Sequence, residues 1–287
     1  MKDRMLPILD DHAHLQTIGA RSEAVRQFEK AGGTHLIVSH ASFAPRPIFT
    51  KEDWRKDYGF TIDLCEEARR KTGVKVYCVL GPYPGDLFDF QHNSDIKVGK
   101  AFEIMRLGIE VAADLVSEQK AIGIGEVGRP HFPCDEQSMR MSNDILVSCM
   151  EKAKDIDCPI VIHSEHVNGS NLEEFTAMAK RVGLRPERVV KHYCQKLEDS
   201  WPRGEISLSV LATEENVVSA IRQDLNFMME TDYMDDPSRP GAVLALPTVP
   251  KRMKQLSLKG TMDEKLWHKI HIERPRQSYG IDTEDSG

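Results

Sequence analysis

Ile8-Leu9-Asp10-Asp11-His12-Ala13-His14 begins as an apolar strand and ends abruptly in polar side chains able to bind a metal ion. Side chains alternate across a strand, so His12 and His14 share one face about 7 Å apart along the backbone, while Ala13 points the other way. Two imidazoles so placed can share one cation. A pair of partly exposed loop histidines would read the same in isolation, so the meaning of this strand end depends on what the rest of the chain brings to it.

Downstream the chain repeats a strand and helix rhythm. Residues 20–30 place Ala24, Val25 and Phe28 on one helical face and stop at Gly32-Gly33, and the β-branched run 34–39 follows as a strand. A second helical stretch ends at Lys71-Thr72-Gly73. Strands are then expected at 75–81, 121–126, 159–164, 188–193, 205–210 and 226–232, with helices at 96–119, 135–155, 171–182 and 214–222. Segments 43–58 and 233–250, the latter with four prolines, read as loops, as does the irregular 127–133. A helical stretch at 262–272 and a frayed polar tail at 282–287 close the chain. Eight alternations, with continuous apolar strands buried on both faces, predict an α/β fold: a single (β/α)8 TIM barrel occupying residues 1–287.

Composition bounds the function. The chain has 287 residues, 40% hydrophobic and 29% charged, which suits a soluble globular protein, and no apolar run approaches the roughly 20 residues of a membrane span. The start Met1-Lys2-Asp3-Arg4-Met5 has no apolar secretory core, so a cytoplasmic location is expected. Six scattered cysteines, with no Cys-X-X-Cys pair, read as reduced packing thiols. The formal net charge of −7 opposes a nucleic-acid coat held by bulk electrostatics but not a nuclease whose metals hold the phosphate.

The C-terminal strand ends of such a barrel build its active site. Ionisable residues fall there repeatedly: His12 and His14, Glu126, His163, His192 and Asp232. This set exceeds the roughly three or four protein ligands of one catalytic zinc and suits two ions roughly 3.5–4 Å apart. Glu126, with two carboxylate oxygens, is the candidate bridge. Unrelated polar residues at strand ends are the bland alternative, but a histidine closes an apolar run at three separate strands, and metal ligation would offset the cost of burying each ring.

His12-Ala13-His14, Gly125-Glu126-Val127-Gly128, Ile160-Val161-Ile162-His163, Val190-Lys191-His192-Tyr193-Cys194 and Met229-Glu230-Thr231-Asp232 together resemble the successive motifs of the TatD-related metal-dependent hydrolases, within the amidohydrolase superfamily. The resemblance runs from the first strand to the last. It implies a TIM barrel, a pair of divalent metals (zinc first, with manganese, iron, nickel or magnesium as alternatives) and a small-molecule or nucleic-acid phosphoester substrate. It further implies that His12, His14 and Asp232 hold one ion, His163 and His192 the other, and that Glu126 bridges. Asp232 would accept a proton from water activated by the metals. The family commonly acts as a deoxyribonuclease. The alternative is hydrolysis of a carboxylic ester, lactone, amide or D-aminoacyl-tRNA by the same centre, and a catalytically silent scaffold is a third reading that the complete ligand set disfavours.

The chain departs from the common family pattern just after Glu126. Where Leu-Asp and an aromatic usually follow, it has Arg129-Pro130-His131-Phe132. Arg129 and His131 are candidates to bind an anionic substrate group, with a structural ion pair as the alternative for Arg129. Glu165 and His166 are further loop candidates, His166 for substrate or ligand support. His40 reads equally as an exposed loop histidine or a substrate contact. Lys191 invites comparison with the carboxylated lysine of other amidohydrolases, but strand alternation turns it away from the face of His192. Cys194 reads as packing, and His35, His92, His268 and His271 as structural or solvated.

Overall fold

The computed structural model of the chain describes residues 6–41, 48–93, 96, 98–197 and 204–284. Strands β1 (Leu9–His14), β2 (His35–Ser39), β3 (Lys75–Leu80), β4 (Gly123–Gly128), β5 (Ile160–His163), β6 (Val189–Cys194), β7 (Ser207–Leu211) and β8 (Phe227–Glu230) lie in chain order in one parallel sheet. A two-residue strand, β9 (Tyr233–Met234), follows β8 and pairs with β1. Only Thr231 and Asp232 separate β8 from β9, so the two edges of the sheet meet and the fold is a (β/α)8 barrel. Polar groups hold the seam. Asp10 accepts from the Thr231 N–H at 3.1 Å and the Thr231 hydroxyl at 2.6 Å, and Asp232 N–H donates to His12 O at 2.9 Å.

The two-residue period of the strands sorts the barrel interior into layers. Leu9, Ile37, Val79, Val161, Val190 and Met228 form an apolar lower layer. Two residues further along the same strands stand Asp11, Ser39, Gly81, His163, His192 and Glu230, so the polar layer sits at the C-terminal mouth. Pairing registers shift between Asp10 and Ala13 on β1, between Gly125 and Val127 on β4, and between Lys191 and Cys194 on β6. Each irregularity falls on a strand bearing candidate ligands, where an extra residue re-aims side chains. Gly128 is needed by its position: its φ is +136°, and a Cβ there would stand 2.2 Å from His163 O. Without that atom, Arg129 N–H reaches the same carbonyl at 2.9 Å.

Helices α1 (Ser22–Ala31), α2 (Lys51–Lys71), α3 (Asp86–Asn93), α4 (Val98–Ser117), α5 (Glu136–Asp155), α6 (Gly169–Val182), α7 (Glu214–Arg222), α8 (Thr248–Leu258), α9 (Glu264–His268) and α10 (Arg274–Tyr279) surround the sheet. A large apolar core lies between the two layers. Four α-helical segments fall outside the sequence expectation: the start of α2, α3, α8, and α10, which lies beyond the expected 262–272. Segment 43–58 reads as a loop, yet α2 begins at Lys51, and its start was legible: Thr50 and Asp53 form a reciprocal capping box. Residues 43–47 lie outside the described residues. α3 is short and follows Pro84-Gly85, which masks it. α8 starts inside the proline-rich 233–250 because Pro247 is its N-cap and Pro250 stands in its first turn, where no intrahelical N–H is required. Of the expected tail, 285–287 lie outside the described residues.

The C-terminal segment closes the bottom of the barrel. Tyr279 and Ile281 join the apolar interior layer, Trp267 Nε1–H donates to Pro7 O at 2.7 Å, and Leu9 N–H donates to His271 Nδ1 at 3.1 Å. His271 and His35 are both buried here, in agreement with a structural role. Burial, then the nearby His35, pushes His271 down to about 3; burial, then Lys75, pushes His35 down to about 4. Both folded values lie below the ordinary 6.5, so their contribution to stability is complete above that pH and is lost as pH falls towards the folded values. At pH 5 the buried neutral His271 costs about 2 kcal/mol of stability, from about 1.4 kcal/mol per pH unit. His271→Asn keeps an acceptor for Leu9 N–H and removes the titration. Urea unfolding at pH 7.5 and pH 5 is expected to show a smaller acid loss in that variant, and equal losses would exclude His271 as a source.

Candidate metal centre

Six side chains from five strand ends converge at the mouth. The carboxylate of Glu126 lies between two imidazole pairs. Its Oε1 is 2.9 Å from His12 Nε2 and 3.2 Å from His14 Nε2, and its Oε2 is 2.9 Å from His163 Nδ1 and 3.3 Å from His192 Nε2. Asp232 Oδ1 stands 3.3 Å from His14 Nε2 and 3.8 Å from His12 Nε2. Asp232 lies just past β8, with φ +46°, a left-handed conformation that aspartate tolerates better than most residues. His12, His14 and Asp232, and separately His12, Glu126 and His192, offer donor atoms close enough to share one ion.

The donor set fits divalent cations. His12 Nε2 and His14 Nε2 lie 3.3 Å apart, and His163 Nδ1 and His192 Nε2 lie 2.9 Å apart, so ring nitrogens face one another rather than separate partners. Their far sides are held: His14 Nδ1 by Ser39 O at 3.0 Å, which accepts, and His12 Nδ1 by Ser39 Oγ at 3.1 Å. Such outer contacts orient an imidazole and choose which nitrogen carries the proton. His192 Nδ1 is buried without a hydrogen bond and lies 3.8 Å from Glu230 Oε2.

Electrostatics agree with cation binding. Burial alone would raise Glu126, yet the surrounding His192, His12 and His14 hold it well below the usual carboxylate range. Burial also opposes ionisation of Asp232, and its contacts with His14 and the neighbouring rings outweigh it and hold the group low. His14 gains from the same contacts: although burial disfavours its charge, Asp232 and Glu126 raise it to about 10. His192, pressed by burial and then by His12, falls to about 3 and is a neutral donor. The two buried carboxylates are held ionised by positive charge on the rings beside them, His14 first for Asp232, and a divalent ion would supply that charge in their place.

A cavity of about 370 Å3 opens over these groups, and its wall includes Gln16, Tyr83, Asp86, Asp89 and Arg239. None of these was singled out in the sequence. For Asp86 the available signal was position: it follows Gly81-Pro82-Tyr83-Pro84-Gly85, directly after the C-terminal end of β3. Arg239 lies in the proline-rich segment and pairs through Nε with Asp236 at 2.9 Å.

Several expected substrate contacts lie elsewhere. Arg129 is buried and committed: Nε donates to Asn143 at 2.6 Å, the terminal nitrogens pair with Glu165 at 3.1 Å and Glu174 at 2.5 Å, and the guanidinium lies over Phe175 at 4.8 Å. Such an arrangement is the structural ion pair of the two alternatives, and it leaves Arg129 off the cavity wall, because burying the cation required partners for its donors. His166 is exposed on its loop and also off the cavity wall. His131 touches His163 rather than the cavity, with Nδ1 3.0 Å from His163 Nε2. His40 lines the cavity but is neither an exposed loop residue nor a ready substrate contact, since Thr61 engages its Nδ1 at 2.9 Å and Asp57 its Nε2 at 3.1 Å. Lys191 is buried, with Nζ donating to His192 O, and burial holds it below the ordinary lysine value. Cys194 is buried and donates to Lys191 O. His268 pairs with Glu273 at 3.1 Å. The side chain of His92 lies outside the described residues.

The sequence model of a family described as TatD related DNase matches residues 9–280. A protein of Methanocaldococcus jannaschii, the uncharacterized protein MJ1127, is 37% identical over 285 residues, covering 98% of both chains. Among solved structures, the chain resembles the TatD homolog YJJV of Escherichia coli K12 (TM-score 0.65, 16% identity, 96% of this chain and 99% of that one). It also resembles the E. coli phosphotriesterase homology protein, solved with phosphate in its active site (TM-score 0.63, 16% identity, 96% and 99%). A mutant of a PTE-like lactonase from Deinococcus radiodurans is a further neighbour (TM-score 0.64, 13% identity, 96% and 97%). Among the described residues, no helix is long and apolar enough to cross a membrane.

Proposed function

The chain belongs to the family of TatD-related DNases, and on that premise we propose that it is a two-metal hydrolase of phosphodiester bonds. One observation carries the two-metal part of the reading: the two oxygens of a single buried carboxylate, Glu126, face two separate histidine pairs at the mouth of the barrel. In this reading His12, His14 and Asp232 would hold one ion, His163 and His192 would hold the other, and Glu126 would be shared between them. Zinc is the first choice for so many imidazoles, ahead of manganese, iron and nickel, with oxygen-seeking magnesium last.

Bound divalent ions would lower the pKa of water towards neutrality and offset charge on a substrate oxygen. The chain's own residues do the rest. Asp232, kept ionised by its histidine neighbours, accepts the proton that water gives up and returns it to the leaving oxygen. Glu126 fixes the separation of the two histidine pairs. Tyr83, Gln16 and Arg239 are the wall donors available to phosphate oxygens, and the cavity, near the small end of ligand pockets of about 300–1,000 Å3, suits a terminal nucleotide or small phosphodiester better than a duplex segment.

A second reading, hydrolysis of a carboxylic ester, lactone or amide, draws support from the same wall. Asp86 and Asp89 also line it, and carboxylates oppose a phosphate backbone. The two readings separate experimentally. Metal analysis of the purified protein, followed by assays on single-stranded DNA, p-nitrophenyl phosphodiesters and a lactone panel, is expected to show metal-dependent turnover of the phosphodiesters that a chelator abolishes. Turnover of lactones alone would replace the first reading with the second.

A further inference from the structure

We propose that His131 is a positioning residue that makes His163 a ligand through Nδ1, by accepting the proton side of its ring. The inference rests on His163 being a metal ligand. His163 presents Nδ1 to the centre, 2.9 Å from both Glu126 Oε2 and His192 Nε2, and turns Nε2 outward to His131 Nδ1 at 3.0 Å. A neutral imidazole has one N–H and one lone pair, so an Nδ1 ligand must carry its proton on Nε2. That proton then needs an acceptor, and His131 Nδ1 is the nitrogen placed to take it.

The need is sharpened by a competing arrangement. Alone beside Glu126, His163 would place its proton on Nδ1 and donate it to Oε2, a form in which Nδ1 has no lone pair for a cation. An acceptor on the outward side favours the opposite tautomer. His131 is exposed, so its own ring proton can sit on Nε2 towards water while Nδ1 accepts. Its placement is over-determined. Arg129 N–H bonds His163 O at 2.9 Å, the Arg129 side chain is locked into Asn143, Glu165 and Glu174, and Pro130 restricts the backbone between Arg129 and His131. From the other side the Tyr83 ring packs edge-on against His163 at 5.0 Å; Tyr83 Oη stands 3.2 Å from His131 Nδ1, whose single lone pair goes to the His163 N–H, so the phenol O–H is left to the cavity. Thus Arg129-Pro130-His131, where the chain departs from the common family motif, acts on a ligand rather than on substrate.

Zinc affinity of the full-length protein, measured by chelator competition with zinc alone, tests this in three variants alongside the unaltered chain. His131→Leu removes the acceptor and is expected to weaken one of two zinc ions by about 10–100-fold, the usual cost of losing a group that supports a metal ligand. His131→Asn, whose amide oxygen can stand where Nδ1 stood, is expected to restore most of that affinity. In the zinc-loaded protein, ¹⁵N NMR of the His163 ring is expected to report a protonated Nε2. Unchanged zinc binding in His131→Leu, equal weakening in the Leu and Asn variants, or a protonated Nδ1 would each overturn the positioning role. His163→Ala keeps the premise separate: if it binds zinc as the unaltered chain does, His163 is not a ligand, whereas weakening in that variant alone leaves the ligand standing and removes His131.

Discussion

Asp232→Asn is expected to lower kcat by about 10²–10⁴-fold, the range lost with a positioned general base, with KM and folding little changed. The substitution preserves shape, and asparagine adopts the left-handed backbone of this position as readily as aspartate, so the φ of +46° need not change. What it removes is the negative charge and the capacity to accept a proton. Asp232 is held in the ionised form by His14 at 3.3 Å and by the other rings nearby, which means that the unaltered chain enters the reaction with its base already free of a proton. The amide oxygen can still face His14 Nε2, so some metal affinity is expected to persist. Parallel measurement of kcat, KM and metal content on one preparation separates the outcomes. A fall in kcat at near-normal metal content supports proton acceptance; a fall that tracks lost metal makes Asp232 a ligand only; intact turnover of every substrate would end the mechanism.

Much of the barrel was legible because a strand's side chains alternate. Val161 and His163, Val190 and His192, and Met228 and Glu230 are two apart, and the apolar member of each pair lies in the lower layer while the polar one lies at the mouth. The same rule places Lys191 off the face of His192. What the rule cannot carry is register. Shifts on β1, β4 and β6 arise from how neighbouring strands pair, a long-range property that no local pattern encodes. Chemical type was likewise a weak guide to where a loop cation points. Arg129 and Arg239 are both loop arginines near the mouth, yet Arg129 is drawn inward by Glu165 and Glu174 from a segment 36 or more residues away, and Arg239 reaches the cavity from a proline-rich stretch. Local sequence shows the donor, whereas the carboxylate that captures it comes from elsewhere in the chain.

The substrate wall follows the same logic. Asp86 enters the cavity because Gly81 to Gly85 turn the chain at the end of β3 and start α3 over the mouth. Burial, then Asp89 and Asp57, pushes Asp86 up to about 8, which makes it a neutral donor near neutrality rather than a fixed negative charge. A phosphate oxygen could accept from such a group, so this part of the wall opposes an anionic substrate less than its composition suggests.

Glu126→Gln is expected to affect both metal positions, whereas His163→Ala is expected to affect one. The reason is geometric: Glu126 Oε1 serves His12 and His14 and Oε2 serves His163 and His192, while His163 stands beside Oε2. Glutamine replaces one oxygen with an NH₂ group, which has no lone pair to give and directs its protons at ring nitrogens that must themselves be donors to a cation. The substitution also removes the charge that offsets two ions in a buried site. Zinc affinity at both positions is expected to fall by more than the about 100-fold attached to supporting groups, and turnover with it. Calorimetric zinc titration of the two variants decides the matter. A loss at both positions in Glu126→Gln and at one in His163→Ala agrees with a shared carboxylate. Should Glu126→Gln instead lose a single ion and hold the other at unaltered affinity, Glu126 belongs to one metal, and the separation of the histidine pairs must be set by the strands alone.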